Sequence, residues 1–279
     1  MVQAETAIER AHAHGHGFGH VVARLEGDRT VLAQVKASSP LRFVRPTFPG
    51  SKSGAVCLVT FGGGLVDGDA IDVDLRVERG ATLVVFTQAT TKAFRGSSRQ
   101  SVRAIVEGTL VLLPDPVACF AGARYRQRVD ITLEGDGSAI VLDGFTSGRA
   151  AFGERWAFEA VDIATTVRRD GRVVVRDALT LDRRDTSIAT RLDRFEALAT
   201  VLAIGPRVAP VVASILAPSL VAADRVAAPS VLSVRPGHAG PAAIVRIAAT
   251  SPARALEEAR VRLRNLSDID VVDPFASRH

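Results

Sequence analysis

The sequence predicts a mostly β protein: a single large β-rich domain, solenoid-like or sandwich-like, with a pair of helices in its C-terminal third. Three observations predict it. From about residue 18 to 182, apolar and polar residues repeatedly alternate with period two. Glycine and aspartate turns punctuate those runs at short intervals, as they do between consecutive strands. After Asp193 the alternation stops and the chain becomes rich in alanine and leucine.

Residues 1–17 are expected to form a flexible, histidine-bearing tail, and residues 18–279 one domain. Strands are predicted at 20–26, 30–37 and 55–61. In AIDVDLRVERGATLVVF, Ile71, Val73, Leu75 and Val77 alternate with Asp72, Asp74, Arg76 and Glu78, the pattern of a half-buried strand. Gly80 then turns the chain, and ATLVVF returns as a more fully buried strand. Further strands are predicted at 102–107, 109–113, 127–133 and 138–142. Val161, Ile163, Thr165 and Val167 share one face of another, and Asp170-Gly171 supplies the positive φ angles of a tight hairpin turn.

RFEALATVLAIGPRVAPVVASILA lacks strand alternation and predicts helices near 192–204 and 207–217, parted by Gly205-Pro206. A last helix is predicted at 252–265. Ser251 is its N-cap, Pro252 its first helical residue, and Ala255, Leu256, Ala259, Val261 and Leu263 its apolar stripe.

Composition narrows the function. A chain of 279 residues with 47% hydrophobic content can build a large core. Its 35 basic and 30 acidic residues give a net charge of +5 without blocks of like charge, so nucleic acid is not an expected partner. A single Trp156 and a single Tyr125 also argue against a base-stacking platform. A basic surface meeting an acidic protein partner stays open. The longest charge-free run, 208–223, is interrupted by Pro210 and Pro218 and falls short of the ~20 residues of a membrane span, so no membrane is expected. The N-terminus has charges and histidines where a secretory signal needs an apolar stretch, which makes the cytoplasm the expected location. Cys57 and Cys119 each stand among apolar neighbours and read as small buried hydrophobes.

HAHGHGFGH places His12, His14, His16 and His20 within nine positions. Imidazole suits nickel, copper and zinc, and alternate residues of an extended chain face one side. The interleaved Gly15, Gly17 and Gly19 leave the backbone loose, and no neighbouring carboxylate or cysteine completes a closed set. Either a mobile tail has incidental metal affinity or it captures metal as an accessory function.

FGGGLVDGDAIDVDL is not a nucleotide loop. Asp67 stands where a dinucleotide fingerprint needs glycine, and a strand follows where a helix should. Asp67 and Asp69 are either turn formers or carboxylates at the mouth of a cavity. TQATTKAFRG places Thr87, Gln88, Thr90, Thr91 and Lys92 directly after an apolar strand, so any that are buried need partners. No base stands near them in sequence, and no catalytic constellation is visible.

The stretches SSPLRFVRP, GGGLVDGDAIDVDLRVERGATLVVFTQATTKAFRG, LPDPVACFAGARYRQ and SGRAAFGERW, in this order, resemble the UreD (UreH) family of urease accessory proteins from about Gly19 to Asp182. Gly63 to Asp69 is similar to the family's GGLVGGD, Phe86 to Arg95 to its TTQAATKVYR, and Gly148 to Glu154 to its GRxAxGE. Asp67 and Phe86 depart from that pattern, and the C-terminal tail lacks the family's Trp-containing ending.

The resemblance implies a non-enzymatic scaffold or chaperone with no permanently bound cofactor. Its partners would be apo-urease and UreF, with UreF recruiting the GTPase UreG, and the assembly would deliver nickel during urease maturation. It implies also that nickel passes transiently through the UreD-like protein. For such a passage the matching carboxylates are Asp69 and Glu154, with Thr87, Gln88, Thr91, Lys92 and Arg149 as neighbours or structural supports. Each of these residues equally admits a purely structural role, and Arg149 and Glu154 can pair with each other. The alternative is a carboxylate-dependent β-fold enzyme acting on a polar substrate through Asp69 and Glu154.

Overall fold

The computed structural model describes residues 15–185, 187–233 and 240–275. Two large mixed β-sheets face each other. In the seven-stranded sheet the order is Arg172–Asp182, Ala160–Arg169, Ala123–Leu133, Gly96–Val106, Ala70–Val77, His16–Glu26 and Arg29–Ala37. The five inner strands run parallel, and each outermost strand is joined antiparallel to its neighbour. The eleven-stranded sheet has as its central members Gly54–Thr60, Thr82–Thr87, Thr109–Leu113, Ser138–Thr146, Ala197–Ile204 and Ala242–Ala249.

Between residues 54 and 169 the chain alternates between the sheets, laying a strand in one and then in the other, which is why neighbours within each sheet are parallel. That coil is the solenoid-like, mostly β architecture the periodicity predicts.

The inner faces bury Ile71, Val73, Leu75, Leu83, Val85, Leu110, Leu112, Val141 and Phe145 in one core. A second core lies on the far side of the eleven-stranded sheet. There Val84, Val111, Ile140, Val201 and Val245 meet helices Ala209–Ile215 and Pro252–Arg262. A strand covered on both faces has no wet side, so the central strand Thr109–Leu113 is a continuous apolar run, TLVLL. The Ser251 hydroxyl caps the later helix by accepting a hydrogen bond from the Arg254 N–H at 3.3 Å.

Three expectations are corrected. ALATVLAI, expected within a helix over 192–204, is the strand Ala197–Ile204; only Ile188–Leu192 before it is helical. It pairs antiparallel with Ser138–Thr146 and with Ala242–Ala249, and burial on both faces removes the alternation that would mark it as a strand. Of the tail expected over 1–17, His16 and Gly17 belong instead to a strand, pairing with Ala70 and Ile71, and residues 1–14 lie outside the described residues. The turn at Gly80 carries the chain across to the opposite sheet instead of folding it back on Ala70–Val77. The Asp170-Gly171 hairpin forms, with φ of 51° and 71°.

Candidate functional site

Strand Ala123–Leu133 turns Tyr125, Gln127, Val129, Ile131 and Leu133 inward and Arg124, Arg126, Arg128 and Asp130 outward. Two polar residues therefore stand on an otherwise apolar inner face. The Tyr125 hydroxyl lies 2.6 Å from Oε1 of both Gln100 and Gln127. It has one proton to give. Gln127 donates its Nε2 to Asp143 Oδ1 at 2.6 Å, which fixes that amide and leaves Gln100 to turn its own Nε2 toward the hydroxyl.

Asp143 projects from Ser138–Thr146 of the opposite sheet, so the Gln127–Asp143 bond crosses the core. Its Oδ1 also accepts the Gly144 N–H at 2.7 Å, and its Oδ2 accepts the Thr165 hydroxyl at 3.4 Å. Burial pushes its pKa up from 3.8 to about 6 against the pull of those three bonds. All three donors are neutral, so the charge of the carboxylate is not balanced by any of them. A Cβ on Gly144 would come within 2.5 Å of the Leu198 carbonyl oxygen, so glycine is needed beside this carboxylate.

Thr87, the last residue of its strand, donates its hydroxyl to Asp115 Oδ2 at 3.1 Å and accepts the Asp115 N–H at 2.9 Å. These two residues, with Thr91, Gln100 and Gln127, line an interior cavity of about 50 Å³, room for a water or a bare ion. A second cavity of about 50 Å³ is lined by Asp143, Thr165, Asp177 and Thr200. Gln127 lines the first cavity and Asp143 the second, so the bond between them links the two in an interior line of oxygen and amide groups.

Most of the residues singled out from sequence lie elsewhere. Asp69 is a turn former whose Oδ2 accepts the Val66 N–H at 2.8 Å, and it borders an open cleft on the outer face. Glu154 accepts the Arg149 Nε–H at 2.9 Å and the Ala121 N–H at 3.4 Å, and the Arg149 guanidinium lies 4.7 Å over the Phe120 ring. Arg149 holds the Glu154 carboxyl below its ordinary pKa. Gln88 and Lys92 are exposed, tied by their backbones to Leu58 and Leu65. Of the seven residues from Asp69 to Glu154 chosen for the passage, only Thr87 and Thr91 reach the interior.

His16 Nε2 lies 2.6 Å from Asp72 Oδ2, on the outer face. His20, on the same strand, is half-buried, and that burial lowers its pKa while Asp74 opposes the shift. His12 and His14 lie outside the described residues. Among the described residues no three His, Cys, Asp or Glu side chains gather into a metal-binding group. Cys57 and Cys119 are buried, and burial pushes the Cys119 thiol up.

Sequence reasoning missed Gln100, Asp115, Tyr125, Gln127, Asp143 and Thr165. The signal for two of them is present: period two places Gln127 in line with Val129, Ile131 and Leu133, and Asp143 interrupts the apolar run AIVLDGF.

The model of the UreD urease accessory protein family matches residues 15–268. The chain is 42% identical to the urease accessory protein UreD of Sorangium cellulosum over 94% of this chain and 84% of that one. It is 36% identical to UreD of Anaeromyxobacter sp., over 93% and 89%. It is 34% identical to the urease accessory protein D of Arabidopsis thaliana over 68% of each chain. Among the described residues no helix is long and apolar enough to cross a membrane.

Proposed function

This chain belongs to the UreD family of urease accessory proteins, and on that premise we propose that it is a cytoplasmic, non-enzymatic scaffold through which nickel reaches urease. It docks on apo-urease and on UreF, with UreF recruiting the GTPase UreG. Nickel is its cargo and crosses the sandwich along the interior polar line. The observation that supports this path is Asp143, a buried carboxylate held by Gln127, Gly144 and Thr165 between two small cavities.

A passage needs donors that are each weak, because a closed set of strong ligands would trap the ion. Hydroxyls at Thr87, Thr91 and Thr165, amides at Gln100 and Gln127, and the carboxylates of Asp115 and Asp143 suit that requirement. Asp69 and Glu154 suit it less. Their carboxylates are engaged at the surface by Val66 and by Arg149.

The test is to co-express the full chain, or its Asp143→Asn variant, with urease and the other accessory proteins, isolate the urease complex and measure its nickel. The expected result is an assembled complex with reduced nickel for Asp143→Asn and near-normal nickel for Asp69→Ala and Glu154→Ala. Full nickel loading by Asp143→Asn would remove the interior line from the path.

A further inference from the structure

We infer that the outer face of the seven-stranded sheet carries a docking cleft for an extended acidic segment of a protein partner, gripped by Arg124 and Arg126. This inference stands whether or not nickel crosses the interior.

The register places Arg99 directly opposite Arg126, and Arg126 directly opposite Asp162. Arg124 lies two residues before Arg126 and so on the same face. Like charges directly opposite one another weaken strand pairing, yet here two arginines face each other with a third beside them.

The internal counter-charges do not satisfy all three. Arg99 is held by Asp72 through two bonds of 2.8 and 3.0 Å. Asp162 binds Arg128 closely, leaving the Arg126 Nε 3.4 Å from the same carboxylate oxygen. Arg124 is 3.9 Å from Glu159. The Arg126 and Arg124 side chains are 66% and 41% exposed. Two guanidiniums thus stand loosely held over a cleft of about 350 Å³, floored by the small residues Gly68, Ala70, Ser97 and Ala160. Asp69 and Asp162 also line it, but the first is turned to the Val66 N–H and the second is neutralised by Arg128.

Spacing selects the occupant. A strand rises ~3.3 Å per residue, so Arg124 and Arg126 stand ~6.6 Å apart, the distance between alternate side chains of an extended peptide. Carboxylates at alternate positions, Glu-x-Glu, can meet both guanidiniums at once, each in a charge-assisted pair. A lone small anion in so open a cleft meets one guanidinium and is screened by salt.

The test is fluorescence anisotropy at low ionic strength with the full chain and two labelled peptides of equal charge, one with glutamates at alternate positions and one with adjacent glutamates. The wild type is expected to bind the alternating peptide more tightly. Replacing both arginines (R124Q/R126Q) is expected to weaken that binding about tenfold. R172Q/R176Q, an equal charge change on strand Arg172–Asp182, is expected to leave it unchanged. Should R124Q/R126Q fail to fold, Arg126→Gln alone serves, since its side chain is the most exposed of the three. Equal losses in both double variants, equal binding of the two peptides, or equally effective displacement by inorganic phosphate would each overturn the inference.

Discussion

Asp143→Asn tests the interior line through stability as well as function. The wild-type carboxyl titrates at about 6 in the folded protein against 3.8 ordinarily, because burial disfavours its charge. At one pKa step per 1.36 kcal/mol, that corresponds to ~3 kcal/mol. The folded state holds the proton more tightly, so stability is unaffected below pH 3.8, declines as pH rises toward 6, and carries the full cost above.

Asparagine removes the charge and keeps the contacts: its oxygen can accept from Gln127 and Gly144, and its Nδ2 can donate to the Thr165 hydroxyl. Urea unfolding of both proteins from pH 4 to 7.5 should show the variant more stable by up to ~3 kcal/mol at pH 7.5 and equal to wild type at pH 4. A variant less stable at pH 7.5, or a difference that does not change with pH, would show that the carboxylate is a structural partner and would refute the reasoning.

Asp72 has the opposite sign. Burial works against its charge, but bonds from Arg99, Ser101 and His16 outweigh it and bring the pKa from 3.8 to about 2, so its stabilisation is present above pH 3.8 and lost as pH falls through 2. Asp72→Asn should therefore cost about 2 kcal/mol near neutral pH and little at pH 2, as read by denaturant titration. Gly144→Ala should destabilise by about 1–3 kcal/mol through the collision with the Leu198 carbonyl, measured by urea unfolding. Replacing His12 and His14 with asparagine should lower nickel retained by the purified chain while urease activation in cells persists at ample nickel supply; lost activation with intact partner binding would give the histidines a larger role.

The fold was legible where one face of a strand is wet. Ala70–Val77 shows its alternation because Ile71, Val73 and Leu75 enter the core while Asp74 and Arg76 do not. Ala197–Ile204 was not legible, because a strand between two cores looks like any alanine-rich apolar run, and only its pairing with Ser138–Thr146 distinguishes it from helix. Topology was hidden as well: the turn at Gly80 has the glycine of a hairpin, yet its strands join different sheets. Of the candidate site, Thr87 and Thr91 were found through their place beside an apolar strand. Glycine-rich motifs drew attention to Asp69 and Glu154, but the glycines there serve the turns themselves, as at Gly68 and Gly153, whose φ angles are 86° and 76°. Asp143 lay in a strand without such motifs.

The position of Asp143 also shows why a passage would be built into this architecture. Strand Ser138–Thr146 is buried on both faces, so a charge on it cannot relax into solvent without breaking the sheet. Pairing of Asp143 with Thr200 fixes the backbone and holds the carboxylate between Gln127 and Thr165, where neutral donors orient it without cancelling it. An arginine in their place would lower its cost and also abolish its attraction for a cation, as Arg149 does for Glu154. Keeping a stability cost of this kind is expected only where the charge is used. The gain forecast for Asp143→Asn and the nickel loss expected from it are thus two measurements of the same uncompensated charge.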